Sequence, residues 1–328
     1  MTKKVVVMGG GTGTFPVVAA LKCVAPSQID LSTIIAVSDS GGSTGKIRDE
    51  FGFQPVGDLR QSLAALAERE NEQWIRKILL YRFNKGIWLR GHNLGNLILT
   101  ALQDMTGNTT QAMEIAEKVF RLEGKVIPVT EDNVNLQIEY EDGSVVVGEH
   151  TLDQKIKNPK RIRQIKLIPK AQISPVAAGA IINADVIIIG PGDYYASLMS
   201  TLIPDGTKQV FQKSKAKIVY IVNLMTRLTQ THGMTAADHV LGIEKAIGKS
   251  VDTILLNSEE IPSPILAWYG KEQEYPVIDD LLEDKRVVRA PLLSDEVYQQ
   301  SATDTAHRSL LRHDKHKLNI ALKKILDK

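Results

Sequence analysis

The stretch Lys4-Val5-Val6-Val7-Met8-Gly9-Gly10-Gly11-Thr12-Gly13-Thr14 joins an apolar, valine-rich run to a glycine-rich loop. A short apolar run bounded by glycines is typical of a strand that is buried on both faces of a sheet. Residues 15–24 follow as a predicted helix. Glycines allow a backbone to approach a phosphate closely, and the amino terminus of the helix adds N–H donors. The stretch therefore predicts a phosphate-binding loop formed by Gly10, Gly11, Thr12, Gly13 and Thr14.

Apolar runs and helical patterns alternate along most of the chain. Further strands are predicted at residues 33–38, 186–189, 218–222 and 251–256, and further helices at 59–68, 73–81, 94–105, 236–248 and 305–326. Strands separated by helices favour parallel pairing with crossover helices. We therefore predict an α/β fold with a doubly wound, Rossmann-like and mostly parallel sheet.

The segment from residue 125 to residue 170 departs from this rhythm. Alternating runs at 134–140 and 144–148 flank Glu141-Asp142-Gly143, which is the pattern of a β-hairpin. We interpret 125–170 as a small β-rich insertion within one domain that spans residues 1–328.

The glycine spacing argues against a nicotinamide dinucleotide site. In the pattern G-x-G-x-x-G the third glycine falls on Thr14 when counted from Gly9, and on Pro16 when counted from Gly11. The loop at 38–46 also departs from a P-loop, which needs glycine where Ser40 stands and Ser or Thr where Ile47 stands. A nucleotide phosphate remains compatible with both loops.

The loop at 38–46 is a second anion-binding candidate, because it follows the second predicted strand and supplies Ser40, Gly41, Gly42 and Ser43. Asp39 stands where a Rossmann-like site places its ribose-binding acid, and it could instead hold Mg²⁺ or form a turn. Asp58 precedes a predicted helix, so it is either an N-cap or a second Mg²⁺ ligand. Arg60 follows in the first turn, where a bound phosphate or carboxylate would offset its charge.

Other loops add polar groups at predicted strand ends and helix starts. His92, an acid/base or phosphate-binding candidate that could also be purely structural, precedes a helix with Asn93 and Asn96 nearby. Gly190 and Gly192 follow a buried strand, and Asn223 ends another. Because the carboxyl ends of parallel strands meet at one edge, we expect these groups to converge on one crevice. The catalytic candidates are Asp39, Asp58 and His92.

Composition narrows the class of protein. A net charge of +2 argues against a dedicated nucleic-acid binder, and we interpret the basic runs at 155–170 and 308–324 as solvated faces. Cys23 is the only cysteine, so no intrachain disulfide forms. A strand-like run begins within three residues of Met1, and no apolar stretch approaches the length of a membrane helix. We expect a cytoplasmic protein without a membrane span.

Taken in order, the motifs resemble one known family. They are Gly-Gly-Gly-Thr-Gly at 9–13, Ser-Asp-Ser-Gly-Gly-Ser-Thr-Gly at 38–45, Gly-Asp-Leu-Arg at 57–60, Gly-His-Asn-Leu-Gly-Asn at 91–96 and Gly-Pro-Gly-Asp at 190–193. This order resembles the bacterial gluconeogenesis factor (YvcK-like) branch of the CofD-like superfamily. The resemblance continues through Asn223-Leu224-Met225-Thr226 into Arg312-His313-Asp314, and so covers nearly the whole chain.

The resemblance implies a cytoplasmic protein that binds UDP-sugars such as UDP-N-acetylglucosamine. It also implies a role in cell shape and wall synthesis during growth on gluconeogenic carbon sources. Tyr269 and Arg312 match positions that this branch links to the sugar nucleotide. Where the family often carries a phosphorylatable Thr after Arg-His-Asp, this chain has Lys315.

Three functions remain open from the sequence. The favoured one is a non-catalytic regulator that binds a UDP-sugar and reports wall-precursor supply to a cell-wall synthesis protein. The second is a Mg²⁺-dependent phosphotransferase like the 2-phospho-L-lactate transferases of the same superfamily, and the third is a dehydrogenase, which the glycine spacing disfavours. A homodimer is the default expectation for a doubly wound protein.

Overall fold

A parallel sheet forms the centre of the computed structural model, which describes residues 2–24, 28–67, 72–153, 160–296 and 309–327. Within those ranges the sheet has seven strands: β1 (Lys3–Gly9), β2 (Ile29–Ile35), β3 (Lys125–Pro128), β7 (Val186–Ile189), β8 (Lys217–Ile221), β9 (Thr253–Asn257) and β10 (Val287–Ala290). Their order is β10-β9-β8-β7-β1-β2-β3, and every neighbouring pair is parallel. This confirms the doubly wound α/β prediction.

The direction of winding reverses at β1. Strands β2 and β3 continue on one side of β1, whereas β7 to β10 continue on the other. The first residues after β1 and after β7 therefore diverge and leave a crevice at the carboxyl edge of the sheet, where doubly wound proteins bind their ligands. Val5, Val7, Ile187 and Ile188 are fully buried in these two central strands.

Helices cover both faces of the sheet. They are α1 (Gly11–Lys22), α2 (Gly42–Phe51), α3 (Gly57–Leu66), α4 (Glu72–Leu80), α5 (Leu94–Thr106), α6 (Thr109–Val119), α7 (Pro175–Asn183), α8 (Ser200–Leu202), α9 (Thr207–Lys213), α10 (Ala236–Ile247), α11 (Ser263–Lys271) and α12 (Lys315–Leu326). A π-helical turn, Tyr194–Met199, leads into α8. Helix α1 packs against α3 and α12, and α9 packs against α7 and α10. Among the described residues, no helix is both long and apolar enough to span a membrane.

A separate antiparallel sheet interrupts the main fold. Strand β4 (Asn135–Tyr140) pairs on one side with β5 (Val145–Val147) and on the other with β6 (Ile162–Ile168). The predicted hairpin is thus confirmed. The insertion is shorter than 125–170, because β3 pairs in parallel with β2 and is the edge strand of the main sheet.

The structure corrects the starts of several predicted helices and adds one that the sequence did not predict. Helix α1 already begins at Gly11, and α2, which was not predicted, begins at Gly42, so both glycine loops run directly into helices. Helix α3 begins at Gly57 after Val56, and Asp58 lies in its first turn instead of capping it. The predicted helix at 305–326 is wrong over 309–314, because Asp314 caps α12 and the helix starts at Lys315; residues 305–308 lie outside the described ranges.

Candidate functional site

A cavity of about 400 Å³ opens at the carboxyl edge of the sheet. Its walls come from the loops that follow β1, β2, β7 and β8, and from the start of α3. Eleven of the residues predicted from the sequence line it: Thr12, Gly13, Asp39, Gly41, Gly42, Ser43, Asp58, Arg60, Gly192, Asn223 and Arg312. The structure therefore brings together loops that are distant in sequence, at the place where the topology predicts a ligand site.

The first glycine loop is packed tightly against its neighbours. A Cβ atom added at Gly10 would overlap the side chain of Ser197, and one at Gly13 would overlap the carbonyl oxygen of Pro191. A Cβ atom added at Gly11 would likewise overlap the carbonyl oxygen of Asp58. Gly10, Gly11 and Thr14 thus pack against protein, while Thr12 and Gly13 form the cavity wall.

Three helices present amino termini without a side-chain cap to the cavity. The N-cap residues of α1, α2 and α3 are Gly10, Gly41 and Val56, and none of them caps its helix through a side chain. The first-turn residues of all three helices line the cavity. Side chains cap α5, α6, α7, α10 and α12, whereas α8, α9 and α11, which begin away from the cavity, also lack a side-chain cap. Helix amino termini carry partial positive charge, so this wall suits an anion such as a phosphate.

A buried polar cluster stands behind the second loop. Asn93 caps α5 by accepting from the Asn96 N–H, and Asn96 Nδ2 lies 3.4 Å from Ser43 Oγ and 3.3 Å from Thr44 Oγ1. His92 Nδ1 is 3.3 Å from the same Ser43 hydroxyl. These three predicted site residues do not line the cavity. Their contacts fix Ser43, which does.

Two carboxylates from different loops face the cavity. Asp39 Oδ1 accepts a hydrogen bond of 2.8 Å from the Gly41 N–H, so Asp39 forms a turn and lines the site at once. Asp58 lies beside Gly10, in the first turn of α3. The described residues contain no cluster of three or more metal-binding side chains. Asp39 and Asp58 are the residues that would hold a Mg²⁺ ion bridging to a bound phosphate.

Arg60 is held in the cavity wall by the protein. It is buried, and its Nη1 donates 3.2 Å to the Leu79 carbonyl. Asn223 is similarly anchored, since its Nδ2 donates 2.8 Å to the Gly192 carbonyl and so ties the loop after β8 to the loop after β7. Its buried Oδ1 has no hydrogen-bond partner among the described residues.

Three charged side chains that the sequence did not predict as site residues also line the cavity: Asp193, Arg227 and Glu274. Arg227 Nη1 lies 3.0 Å from Asp193 Oδ1, and Arg227 Nε lies 3.9 Å from Glu274 Oε1. Burial raises the pKa of Glu274 to about 7, although the Arg227 charge opposes the shift. Asp193 belongs to the Gly-Pro-Gly-Asp motif, but nothing in the sequence links it to Arg227 or Glu274.

The carboxyl-terminal segment closes part of the cavity. Tyr269 is buried and does not line the site; its hydroxyl lies 2.8 Å from Ser309 Oγ and accepts from the Leu311 N–H at 3.0 Å. Tyr269 therefore positions the strand-like segment that carries Arg312. His313 also lines the site, and burial lowers its pKa to about 4. Two further predicted residues, Ser40 and Gly190, do not line it, and Ser40 Oγ instead lies 3.0 Å from His150 Nδ1.

Known proteins match this chain over almost its full length. A family model described as 2-phospho-L-lactate transferase CofD matches residues 5–296. The gluconeogenesis factor of Bacillus subtilis is 38% identical over 318 residues, which cover 96% of this chain and 95% of that protein. A putative gluconeogenesis factor of Thermotoga maritima is 34% identical over 98% of this chain and 99% of its own.

A solved structure shares the fold. The crystal structure of a upf0052 family protein from Bacillus halodurans superposes with a TM-score of 0.85 at 33% identity, and covers 98% of this chain and 99% of that one. Together with the sequence matches, these relatives confirm the resemblance drawn from the ordered motifs. The chain belongs to the CofD family, in the branch of the gluconeogenesis factors.

Proposed function

We propose that this protein is a regulator that binds a nucleotide sugar of the UDP-N-acetylglucosamine type and is required for cell morphogenesis and wall synthesis under gluconeogenic growth. One observation carries the binding part of the proposal: three helices without side-chain caps, α1, α2 and α3, begin at the wall of one cavity. A diphosphate offers several anionic oxygens, and amino termini from three directions can each contact some of them.

The remainder of the cavity suits the uncharged ends of such a ligand. Hydrogen-bond donors and acceptors lie beside the wall formed by the starts of α1, α2 and α3; they belong to Asn223, Thr226 and the Arg227–Asp193 pair. Sugar hydroxyls and a uracil ring are neutral groups that need both kinds of partner. Arg312, on the segment that Tyr269 positions, adds a cation at the same cavity.

A regulatory role fits the relatives, which are named for a physiological process and not for a reaction. A regulator must transmit occupancy to another protein, and we propose a cell-wall synthesis protein as that partner. A homodimer and a cytoplasmic location complete the proposal.

Thermal unfolding with a ligand panel tests the binding. A ligand at 100 times its Kd stabilises the folded state by about 2.7 kcal/mol. UDP-N-acetylglucosamine should raise the Tm by several degrees and be recovered intact, whereas NAD should have no effect. A shift with GTP or GDP and none with any UDP-sugar would refute the proposal. A Bacillus subtilis strain lacking its own factor provides the physiological test, because this chain should restore its growth and rod shape on gluconeogenic carbon.

A Mg²⁺-dependent phosphotransferase is the second candidate, favoured by one observation. Asp39 and Asp58 line the same cavity as the phosphate wall, as a metal-bridged phosphate would require. The alcohol of a deazaflavin would then displace the nucleoside monophosphate from a nucleotide-activated phospholactate and form a phosphodiester with the phospholactyl group, only with Mg²⁺, and Asp39→Asn would abolish release of the monophosphate. Absence of release with the wild-type protein and Mg²⁺ would remove this candidate.

A further inference from the structure

An exposed apolar hairpin, residues 81–94, projects between α4 and α5. At its tip Ile87 and Trp88 are 91% and 89% exposed, the highest values among the large apolar side chains described. A side chain exposed to that degree is contacted by almost nothing in its own chain. Large apolar groups left in water in this way mark an interaction surface.

The hairpin is a defined structure. Its two arms are joined by the Phe83 N–H to the His92 carbonyl at 2.9 Å and by the Leu94 N–H to the Tyr81 carbonyl at 2.8 Å. The side chain of Arg82 adds a bond of 2.8 Å to the Gly91 carbonyl. The fold therefore holds the two apolar side chains at the tip outward.

The exposed face of α4 continues the same surface. Trp74, Ile78 and Tyr81 are spaced at i, i+4 and i+7, so they share one side of the helix and its end, and all three are exposed. Tyr81 begins the hairpin and its ring packs edge-on against Phe83. The apolar surface thus runs from the helix into the hairpin.

The charges within this segment have one sign, because residues 73–103 contain no Asp or Glu. Three of its cations, Lys77, Lys85 and Arg90, are exposed, whereas Arg76 lies over the Phe15 ring and Arg82 lines the cavity. Lys77 Nζ stands 4.7 Å from the centre of the Trp74 ring, so at least one cation accompanies an exposed aromatic directly. A second copy of this chain would bring like charges together, which disfavours self-association through this face.

We propose that the hairpin and the exposed face of α4 dock the protein on an anionic lipid surface, with Ile87 and Trp88 inserted among the headgroups. A protruding tip of aliphatic and indole side chains ringed by Lys and Arg matches such an interface, where Trp is favoured and cations are attracted to anionic lipid. This inference does not rest on the nucleotide sugar proposed for the cavity.

Vesicle flotation of the full-length protein tests the proposal. Wild-type protein should bind vesicles of equal phosphatidylglycerol and phosphatidylcholine, bind pure phosphatidylcholine weakly, and be released by 0.5 M NaCl. Ile87→Ser with Trp88→Ser should weaken binding by about tenfold or more. Lys85→Ala and Arg90→Ala should each weaken it by about fivefold. Brominated lipids should quench wild-type tryptophan emission.

A matched control tests whether vesicle binding depends on this surface in particular or on any exposed apolar side chain. Leu241 and Leu282 are 66% and 75% exposed elsewhere on the molecule, and their double replacement by Ser should leave vesicle binding unchanged. All variants should unfold at the wild-type Tm, because the replaced side chains are exposed. The proposal is overturned if wild-type protein does not prefer anionic vesicles, or if the hairpin variant binds them as well as wild type. It is equally overturned if the hairpin variant loses only dimerisation or only binding to single-stranded RNA.

Discussion

The guanidinium of Arg227 contacts both carboxylate oxygens of Asp193, at 3.0 and 3.2 Å. Arg227 follows β8 and Asp193 follows β7, so this pair ties together two of the loops that form the cavity. Glu274 approaches the same guanidinium from a third segment. The shape of this side of the cavity therefore depends on one cation.

Arg227→Met should destabilise the protein and weaken ligand binding. The replacement leaves the Asp193 carboxylate, and Glu274 wherever it is ionised, without their shared cation, which costs roughly 1–3 kcal/mol in urea unfolding. Arg289→Met is the matched control, because Arg289 also pairs with one aspartate, Asp279, but at a more exposed site. That change should cost less than about 1 kcal/mol. Equal costs for the two variants would contradict the structural role given to Arg227.

Gly13→Ala should disrupt the cavity wall that the starts of α1, α2 and α3 form. The new Cβ would overlap the Pro191 carbonyl and crowd Gly192, and backbone cannot move aside as a flexible side chain can. We expect a loss of about 1–3 kcal/mol in stability and of about tenfold or more in affinity for the nucleotide sugar, which calorimetry measures.

The control for Gly13→Ala is Gly179→Ala, within α7. A Cβ at Gly179 meets no atom within 4 Å, so alanine should raise stability by about 0.5–1 kcal/mol through its helix propensity. Affinity for the nucleotide sugar should not change. If Gly13→Ala bound the ligand as tightly as Gly179→Ala, the close contact at Pro191 would be irrelevant to binding.

Glu274 should make stability fall as pH rises. Its folded pKa of about 7 exceeds the ordinary value of 4.5, chiefly because burial disfavours the charge. Between those values the folded state binds the Glu274 proton more tightly than the unfolded state does. The stabilisation that Glu274 contributes to folding is therefore full below about pH 4.5 and is lost as the pH rises through 7. Relative to Glu274→Gln, the free energy of unfolding of wild-type protein should fall by on the order of 3 kcal/mol across this window.

Urea unfolding at several values between pH 5 and 8 measures this difference. Asp279→Asn serves as the control, because the hydrogen bond from Arg289 lowers the pKa of Asp279 and the group therefore does not titrate in this window. That variant and wild type should show the same slope. Parallel slopes for wild type and Glu274→Gln would refute the assignment.

The strands and their ligand-binding edge follow from local sequence. Runs such as 186–189 are β-branched and apolar throughout, and the structure places a strand over the same residues. The start of α1 at Gly11 and the whole of α2 from Gly42 are not predicted from the sequence, because glycine disfavours helices. At Gly11 the nearby Asp58 carbonyl leaves no room for a side chain, whereas a Cβ at Gly42 would meet no atom within 4 Å.

The ionic side of the site could not be predicted, because it depends on tertiary packing. Arg227 and Asp193 are 34 residues apart, and Glu274 reaches them from after α11. The resemblance links Tyr269 to the sugar nucleotide, and the structure shows it buried with its hydroxyl against Ser309 and Leu311. His92, Asn93 and Asn96 are likewise polar residues whose observed contacts hold Ser43.

Isothermal titration with UDP-N-acetylglucosamine, with GDP and NAD in parallel, tests the central claim most directly. The account predicts saturable one-to-one binding of the UDP-sugar, recovery of the ligand unchanged after incubation with Mg²⁺, and binding weakened by about tenfold or more in Gly13→Ala but not in Gly179→Ala. No heat with any UDP-sugar, or equal binding by Gly13→Ala and wild type, would contradict it.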